Sequence, residues 1–160
     1  MLVLICGKMG AGKSTKAKEV SKESNTILLS EDEWLGKLYP GQISGLEDYI
    51  KYSRLIKPVV KSLVQDLLLS GVRVVMDFPA NTVSQRVWLK SIASEISAEH
   101  KLLYLSASDS LCLDRIAKRR IEQPERQATD TEEMFRQVTK YFVEPCENEQ
   151  LNVTVIECHA

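Results

Sequence analysis

Five apolar residues, Leu2-Val3-Leu4-Ile5-Cys6, run directly into Gly7-Lys8-Met9-Gly10-Ala11-Gly12-Lys13-Ser14, which fits G-x-x-x-x-G-K-[ST] at every fixed position. No other feature of the chain constrains its fold as strongly. The glycines let the backbone curl until several N–H groups point inward at an anion, and larger side chains would obstruct that curl. The pattern predicts a strand, a phosphate-binding loop and a helix whose positive N-terminal end faces the bound group. Gly7, Met9, Gly10, Ala11, Gly12, Lys13, Ser14 and Thr15 are the expected nucleotide contacts. Lys13 reaches the β- and γ-phosphates and Ser14 offers its hydroxyl to Mg²⁺. A flexible glycine-rich turn with a stray lysine is the bland alternative, and the strand before and helix after argue against it.

A loop of this kind needs a sheet behind it, and the apolar pattern supplies one. Thr26–Ser30, Val72–Asp77, Leu102–Leu105 and Val153–Ile156 are short apolar or β-branched runs bounded by turn formers. Between them lie expected helices over Lys13–Ser24, Leu46–Leu69, Thr82–Ser97, Ser110–Arg120 and Thr131–Phe142. In the longest, Leu46, Tyr49, Ile50, Ile56, Val59, Val60, Leu63, Val64, Leu67 and Leu68 recur at three- and four-residue spacing, which predicts a single buried face. Pro58 lies inside that pattern and predicts a kink or restart near Lys57. Strands alternating with helices imply right-handed crossovers, a parallel sheet covered on both faces, and ligands at the carboxyl ends of the strands.

The chain of 160 residues, 44% apolar and 27% charged, fits one domain spanning 1–160. A net charge of −1 gives no global attraction to nucleic acid or an anionic membrane. No apolar stretch approaches a bilayer span and the loop begins too early for a removable signal, so the expectation is a cytoplasmic protein. The cysteines Cys6, Cys112, Cys146 and Cys158 are scattered without a C-x-x-C pair, and read as reduced, mostly buried side chains.

If ligands sit at the strand ends, the residues just beyond each strand carry the chemistry. The second strand delivers Glu31, Asp32 and Glu33. Acids beside a triphosphate are unfavourable unless a cation or a transferable proton lies between them, so Asp32 is the first candidate for a general base toward a hydroxyl. The acids are expected also to cap the following helix, where negative charge suits the N-terminus. Asp77 closes the third strand after Val74-Val75-Met76, a placement that suits holding Mg²⁺ or its waters. No D-x-x-G follows it and the chain has no N-K-x-D, which argues against a guanine-nucleotide switch. Downstream, Arg115, Lys118, Arg119 and Arg120 cluster on two helical turns. Arg115 and Arg119 share a face and are read as phosphate contacts, whereas Lys118 and Arg120 fit a solvated helix end. Residues 121–130 offer almost nothing to bury and read as a mobile lid, with Arg126 placed to close over the site.

These residues together resemble the P-loop kinase group that includes the kinase domain of phage polynucleotide kinase, chloramphenicol phosphotransferase and zeta toxins, and within it an uncharacterised bacterial branch of small ATP-binding proteins. The resemblance runs from the phosphate loop through Leu29-Ser30-Glu31-Asp32-Glu33-Trp34-Leu35, Val74-Val75-Met76-Asp77-Phe78 and Arg115-x-x-x-Arg119 to Phe142-Val143-Glu144-Pro145. It implies a five-stranded sheet of order 2-3-1-4-5 in a P-loop NTP hydrolase fold, ATP and Mg²⁺ as cofactors, Asp32 as the base, and Arg115 and Arg119 on phosphates. Lys13, Asp32 and Arg119 are then the expected catalytic set, and Ser14 and Asp77 the metal pair. The implied activity is transfer of the γ-phosphoryl of ATP to a hydroxyl of a small molecule, with a polynucleotide 5′-hydroxyl kinase or a non-catalytic ATP-binding regulatory module as alternatives. The stretch Phe78-Pro79-Ala80-Asn81 departs from the branch's pattern and leaves the acceptor open. Arg86 and Trp88 either line the acceptor pocket or serve packing.

Overall fold

The computed structural model describes residues 1–159. Its centre is a parallel sheet of five strands, β1 (Leu2–Gly7), β2 (Thr26–Ser30), β3 (Arg73–Asp77), β4 (His100–Ser106) and β5 (Val153–Glu157), in the order β2-β3-β1-β4-β5. The order is the one expected. The helices are α1 (Lys13–Val20), α2 (Glu31–Leu38), α3 (Leu46–Leu69), α4 (Val83–Ser94), α5 (Asp109–Glu122) and α6 (Glu132–Thr139).

β1 lies at the middle of the sheet and shows why its sequence is uninterruptedly apolar. Leu2, Leu4 and Cys6 join one core with Ile56, Val60, Val64, Leu89 and Ile92 of α3 and α4. Val3 and Ile5 face the opposite way and pack with Ala17, Cys112, Ile116 and Phe135 of α1, α5 and α6. Successive side chains of a strand point to opposite faces, so a strand covered on both must be apolar at every position.

Three sequence expectations change. The helix α3 runs unbroken through Pro58. A proline there removes one backbone donor, and because Pro58 is exposed, water can serve the carbonyl one turn back. The buried stripe of α3 is also narrower than its periodicity suggests: Ser53, Ile56, Val60 and Val64 are inside, while Leu46, Ile50, Leu63 and Val59, the last 62% exposed, are not. Finally, α1 stops at Val20 and α6 at Thr139, each short of its expected end. Beyond α6, the Val143 N–H donates to the Asn81 carbonyl at 2.8 Å, which draws the chain back toward the end of β3. No described helix is long and apolar enough to cross a membrane. The four cysteines are free, Cys6 and Cys112 buried, Cys158 partly covered and Cys146 exposed.

Candidate functional site

The loop after β1 is held open from several sides. Gly10 and Gly12 take φ values of +82° and +101°, a left-handed conformation that side chains disfavour. At Gly10 a β-carbon would lie 2.6 Å from the Cys112 carbonyl oxygen, so the loop rests directly on α5. The Gly7 N–H donates to Asn81 Oδ1 at 3.1 Å, and the Arg115 guanidinium donates to the Ala11 carbonyl at 2.9 Å. Gly12 caps α1 without any side-chain acceptor, which leaves the first N–H groups of that helix for an anion.

Lys13 is turned back onto the backbone of its own loop. Its ammonium is half-buried and donates to the carbonyls of Gly7 at 2.6 Å and Lys8 at 2.9 Å. Burial pulls its pKa below the ordinary lysine value, with Asp77 opposing that shift. The loop thus supplies its lysine with provisional acceptors, which spares the buried charge from standing alone.

The strand ends bring the expected acids together. β2 and β3 pair in register with Ser30 opposite Asp77, so the residues leaving β2 emerge beside Asp77. The Ser14 hydroxyl donates to Asp77 Oδ2 at 2.9 Å. A hydroxyl and a carboxylate are hard oxygen donors that suit Mg²⁺, which binds through few protein ligands and completes its shell with water and phosphate oxygens. No cluster of three or more His, Cys, Asp or Glu side chains able to hold a metal occurs among the described residues.

Asp32 lies in the first turn of α2, but the cap of that helix is Ser30, whose hydroxyl accepts from the Glu33 N–H. The capping use of Asp32 therefore has no support, although its charge still suits a helix N-terminus. Asp32 is exposed as a residue, yet its carboxyl is partly desolvated by its surroundings. Desolvation there raises its pKa, Asp77 raises it further, and Arg126, Lys13 and Arg119 lower it. Glu33 points outward to Lys37 at 2.6 Å. Glu31 turns the other way. It is 1% exposed, and its carboxylate oxygens accept from the hydroxyls of Tyr49 and Ser53, the latter at 2.9 Å. Burial pushes it up to about 7, the Ser53 hydrogen bond opposing, Asp32 adding to the rise.

The two lid arginines meet on one carboxylate that the sequence reading passed over. Arg119 grips Asp130 with two donors, one of them Nη2 to Oδ1 at 2.9 Å, and Arg126 Nε donates to Asp130 Oδ2 at 2.9 Å. Asp130 is 1% exposed. Desolvation alone would raise its pKa, but the hydrogen bonds and charges of the two arginines outweigh that and hold it below the usual carboxylate range. The segment after α5 is accordingly folded around an anchor: a short 3-10 turn over Pro124–Arg126, then the Asp130 N–H bonded to the Arg126 carbonyl at 2.7 Å. Its polar composition concealed this. An acid four residues beyond an arginine, with a second arginine on the preceding helix, was the available signal.

Arg86 belongs to packing. It is 1% exposed, pairs with both oxygens of Glu149 at 2.8 and 3.1 Å, and donates to the carbonyls of Ala80 and Val143. It staples the segment before β5 to the end of β3. Trp88, by contrast, does line a cavity, together with Glu31 and Lys57. Lys118 pairs with Glu122 at 3.7 Å on the exposed face of α5.

A family model described as AAA domain matches residues 2–145. Among curated proteins none matches the chain. Solved structures share the fold at low identity. Kti12 from Chaetomium thermophilum, in complex with ADP-AlF3, superposes with a TM-score of 0.71 at 14% identity over 98% of this chain and 89% of its own. APE1195 gives a TM-score of 0.64 at 21% identity, covering 96% of this chain and 84% of its own. An unliganded sugar kinase from Janibacter sp. HTCC2649 gives 0.60 at 19% identity, covering 98% and 84%. At such identities the likeness is one of fold.

Proposed function

The chain belongs to the AAA-domain family of P-loop proteins, and from that premise we propose that it is an ATP-dependent phosphotransferase whose acceptor is a hydroxyl of a small molecule. The reading takes residues 1–160 as one kinase-like domain with a lid at about 121–130. The loop amides and Lys13 hold the phosphates, Lys13 exchanging the Gly7 and Lys8 carbonyls for phosphate oxygens. Ser14 and Asp77 would hold Mg²⁺, whose charge offsets that of the β- and γ-phosphates when it is bound. Asp32 accepts the proton of the acceptor hydroxyl. The freed oxygen forms a bond to the γ-phosphorus, the bond from that phosphorus to the bridging oxygen breaks, and ADP leaves with the electron pair. Arg119 and Arg126 exchange Asp130 for phosphate oxygens, and Arg115 acts at the loop backbone.

The observation that carries this reading is the position of Asp32. It stands where the charges of Asp77, Lys13, Arg119 and Arg126 converge, while the adjoining carboxylate of Glu31 is already engaged by two hydroxyls. An open cavity of about 310 Å³ next to these acids favours an enzyme over a regulatory module that binds nucleotide without an acceptor. Asp32→Asn tests the assignment. ATP affinity, followed by thermal shift, is expected to stay within a few fold, while transfer falls by roughly 10²-fold or more. Transfer at the wild-type rate when chemistry limits turnover would remove Asp32 from the mechanism.

A further inference from the structure

Beyond the ends of β2 and β3 the cavity opens between α3 and the start of α4, with a volume of about 310 Å³. Its walls include Glu31, Tyr49, Ser53, Arg54, Lys57 and Trp88. Glu31 immediately precedes Asp32, and Phe78, also in the wall, immediately follows Asp77. Asp32 and Asp77 are not themselves part of the wall but each is one residue along the chain from it.

The charge of the wall is unusual. Arg54 and Lys57 are separated by one helical turn of α3, and every ion pair among the described residues is made by other cations. The Lys57 ammonium lies 5.2 Å from the centroid of the Trp88 ring, a contact that positions the ammonium without neutralising it. Glu31 also lines the cavity and its charge acts on Lys57, but its oxygens are hydrogen-bonded by the Tyr49 and Ser53 hydroxyls and form no ion pair with either cation. Two cations without an ion-pair partner in the wall of a small cavity form a receptor for an anion, and a guanidinium beside an ammonium suits either a phosphate or a carboxylate. The volume sits at the small end of the range for ligand pockets, which favours a compact molecule over a polynucleotide end.

Resting on the kinase reading above, we propose that this cavity is the acceptor site and selects a small hydroxyl compound bearing an anionic group, phosphate or carboxylate, which Arg54 and Lys57 hold while the hydroxyl faces Asp32. The phosphoryl step is the one already written: the hydroxyl proton passes to Asp32, the new oxygen–phosphorus bond forms, and ADP departs. Selection by Arg54 and Lys57 adds no reacting group. It fixes the acceptor's orientation and rejects neutral parents, which leave the cations without a partner.

The test separates binding from chemistry. A panel of three- to seven-carbon sugar phosphates and sugar acids, each beside its neutral parent sugar or polyol, is titrated against the full chain with Mg-ADP present, and thermal stabilisation is read up to about 10 mM. The same panel is run on the Arg54→Ala/Lys57→Ala double variant, in which stabilisation by Mg-ADP alone must match wild type. Anionic members are expected to stabilise the wild type, neutral parents to do so far less, and the double variant to lose roughly 10- to 10²-fold in affinity for the anion. Response confined to sugar phosphates or to sugar acids identifies which anion is read. Neutral parents binding as well as their anionic forms, anion binding that survives the double substitution, or silence across the panel would each overturn the proposal. ATP-dependent transfer on the same panel keeps the two readings apart. Binding without transfer upholds the anion site and refutes the kinase. Transfer to neutral parents, or preferentially to an oligonucleotide 5′-hydroxyl, with no effect of the double variant upholds the kinase and refutes the anion site.

Discussion

Glu31 and Asp130 are equally hidden from solvent, each 1% exposed, yet they hold their protons in opposite ways. Glu31 is met by two hydroxyls and burial pushes it up to about 7. Desolvation acts to raise Asp130 as well, but two guanidiniums reverse the outcome and hold it below the ordinary value of 3.8. Hydroxyls satisfy a carboxylate's hydrogen bonds without matching its charge, whereas arginines do both. Partner chemistry therefore helps decide whether a buried acid is a charge. On the lid side this yields an ionised residue that keeps two arginines in place and is replaceable by phosphate. On the acceptor side it yields a carboxyl whose pKa of about 7 leaves it only partly ionised at neutral pH, beside Lys57.

The contrast breaks most visibly at Glu31. A carboxyl raised in the folded state contributes stability that is fully present below its unfolded value of 4.5 and is lost as pH rises through about 7. The separation between those values corresponds to about 3 kcal/mol. Glu31→Gln cannot ionise, so between the two values its stability is expected to gain on that of wild type by up to this amount. Denaturant unfolding of both proteins across that window measures it. Parallel curves would show that Glu31 is ionised in the folded protein throughout, and the distinction from Asp130 would disappear.

Asp130→Asn addresses the other side with the sign reversed. A carboxyl depressed in the folded state contributes stability above its unfolded value of 3.8, and that contribution is lost as pH falls through the folded value. Breaking a fully buried ion pair costs about 3–5 kcal/mol. Here Arg119 and Arg126 are 29% and 38% exposed and can turn to water once released, so a loss nearer 1–2 kcal/mol is expected at neutral pH. The loss should shrink on acidification, when wild-type Asp130 protonates too. A destabilisation that persists unchanged into acid would make Asp130 a packing residue with no electrostatic role.

What the sequence made legible follows from how local each feature is. The phosphate loop, the acids after the second strand and Asp77 all sit within a few residues of a strand end, and a strand–turn–helix pattern places them without reference to the rest of the chain. The strand order needed the resemblance, because nothing in an apolar run states which neighbour it pairs with. Arg86 was ambiguous for the same reason: its partners Ala80, Val143 and Glu149 come from two segments far apart in the chain, and a lone arginine at helical spacing does not announce them. Glu31 and Asp130 were harder still. Glu31 looked like one of three equivalent acids until β2 and α3 met and placed Tyr49 and Ser53, four residues apart on one face of α3, against it. Asp130 was hidden by a segment that reads as uniformly polar. Composition alone predicts that such a stretch cannot anchor itself, and the prediction fails because the anchor is a shared ion pair and not an apolar contact.

The smallest expected effect is at Arg126, and it tests whether the lid's anchor is divisible. Arg119 supplies two of the three donors that Asp130 accepts from these arginines, and Arg126 is the more exposed partner. Arg126→Ala leaves the buried carboxylate paired, so global stability is expected to change by no more than about 0.5 kcal/mol. Locally the consequence differs. The Thr129 and Asp130 N–H groups both donate to the Arg126 carbonyl, and without the side chain's grip on Asp130 that turn keeps only the longer Thr129 hydroxyl bond to the same carbonyl as a side-chain closure from within the segment. Hydrogen exchange of the amides between Gln123 and Asp130 is therefore expected to quicken in the variant while sheet amides are unchanged, since local opening and global unfolding are separate equilibria. Adding Mg-ATP analogue and acceptor is expected to slow exchange there in wild type, as phosphate replaces Asp130 as the arginines' partner, and to slow it less in the variant. Equal protection with and without ligand in wild type would show that residues 121–130 are a fixed connection and not a lid, and would leave Asp130 as a permanent structural acid like Glu149.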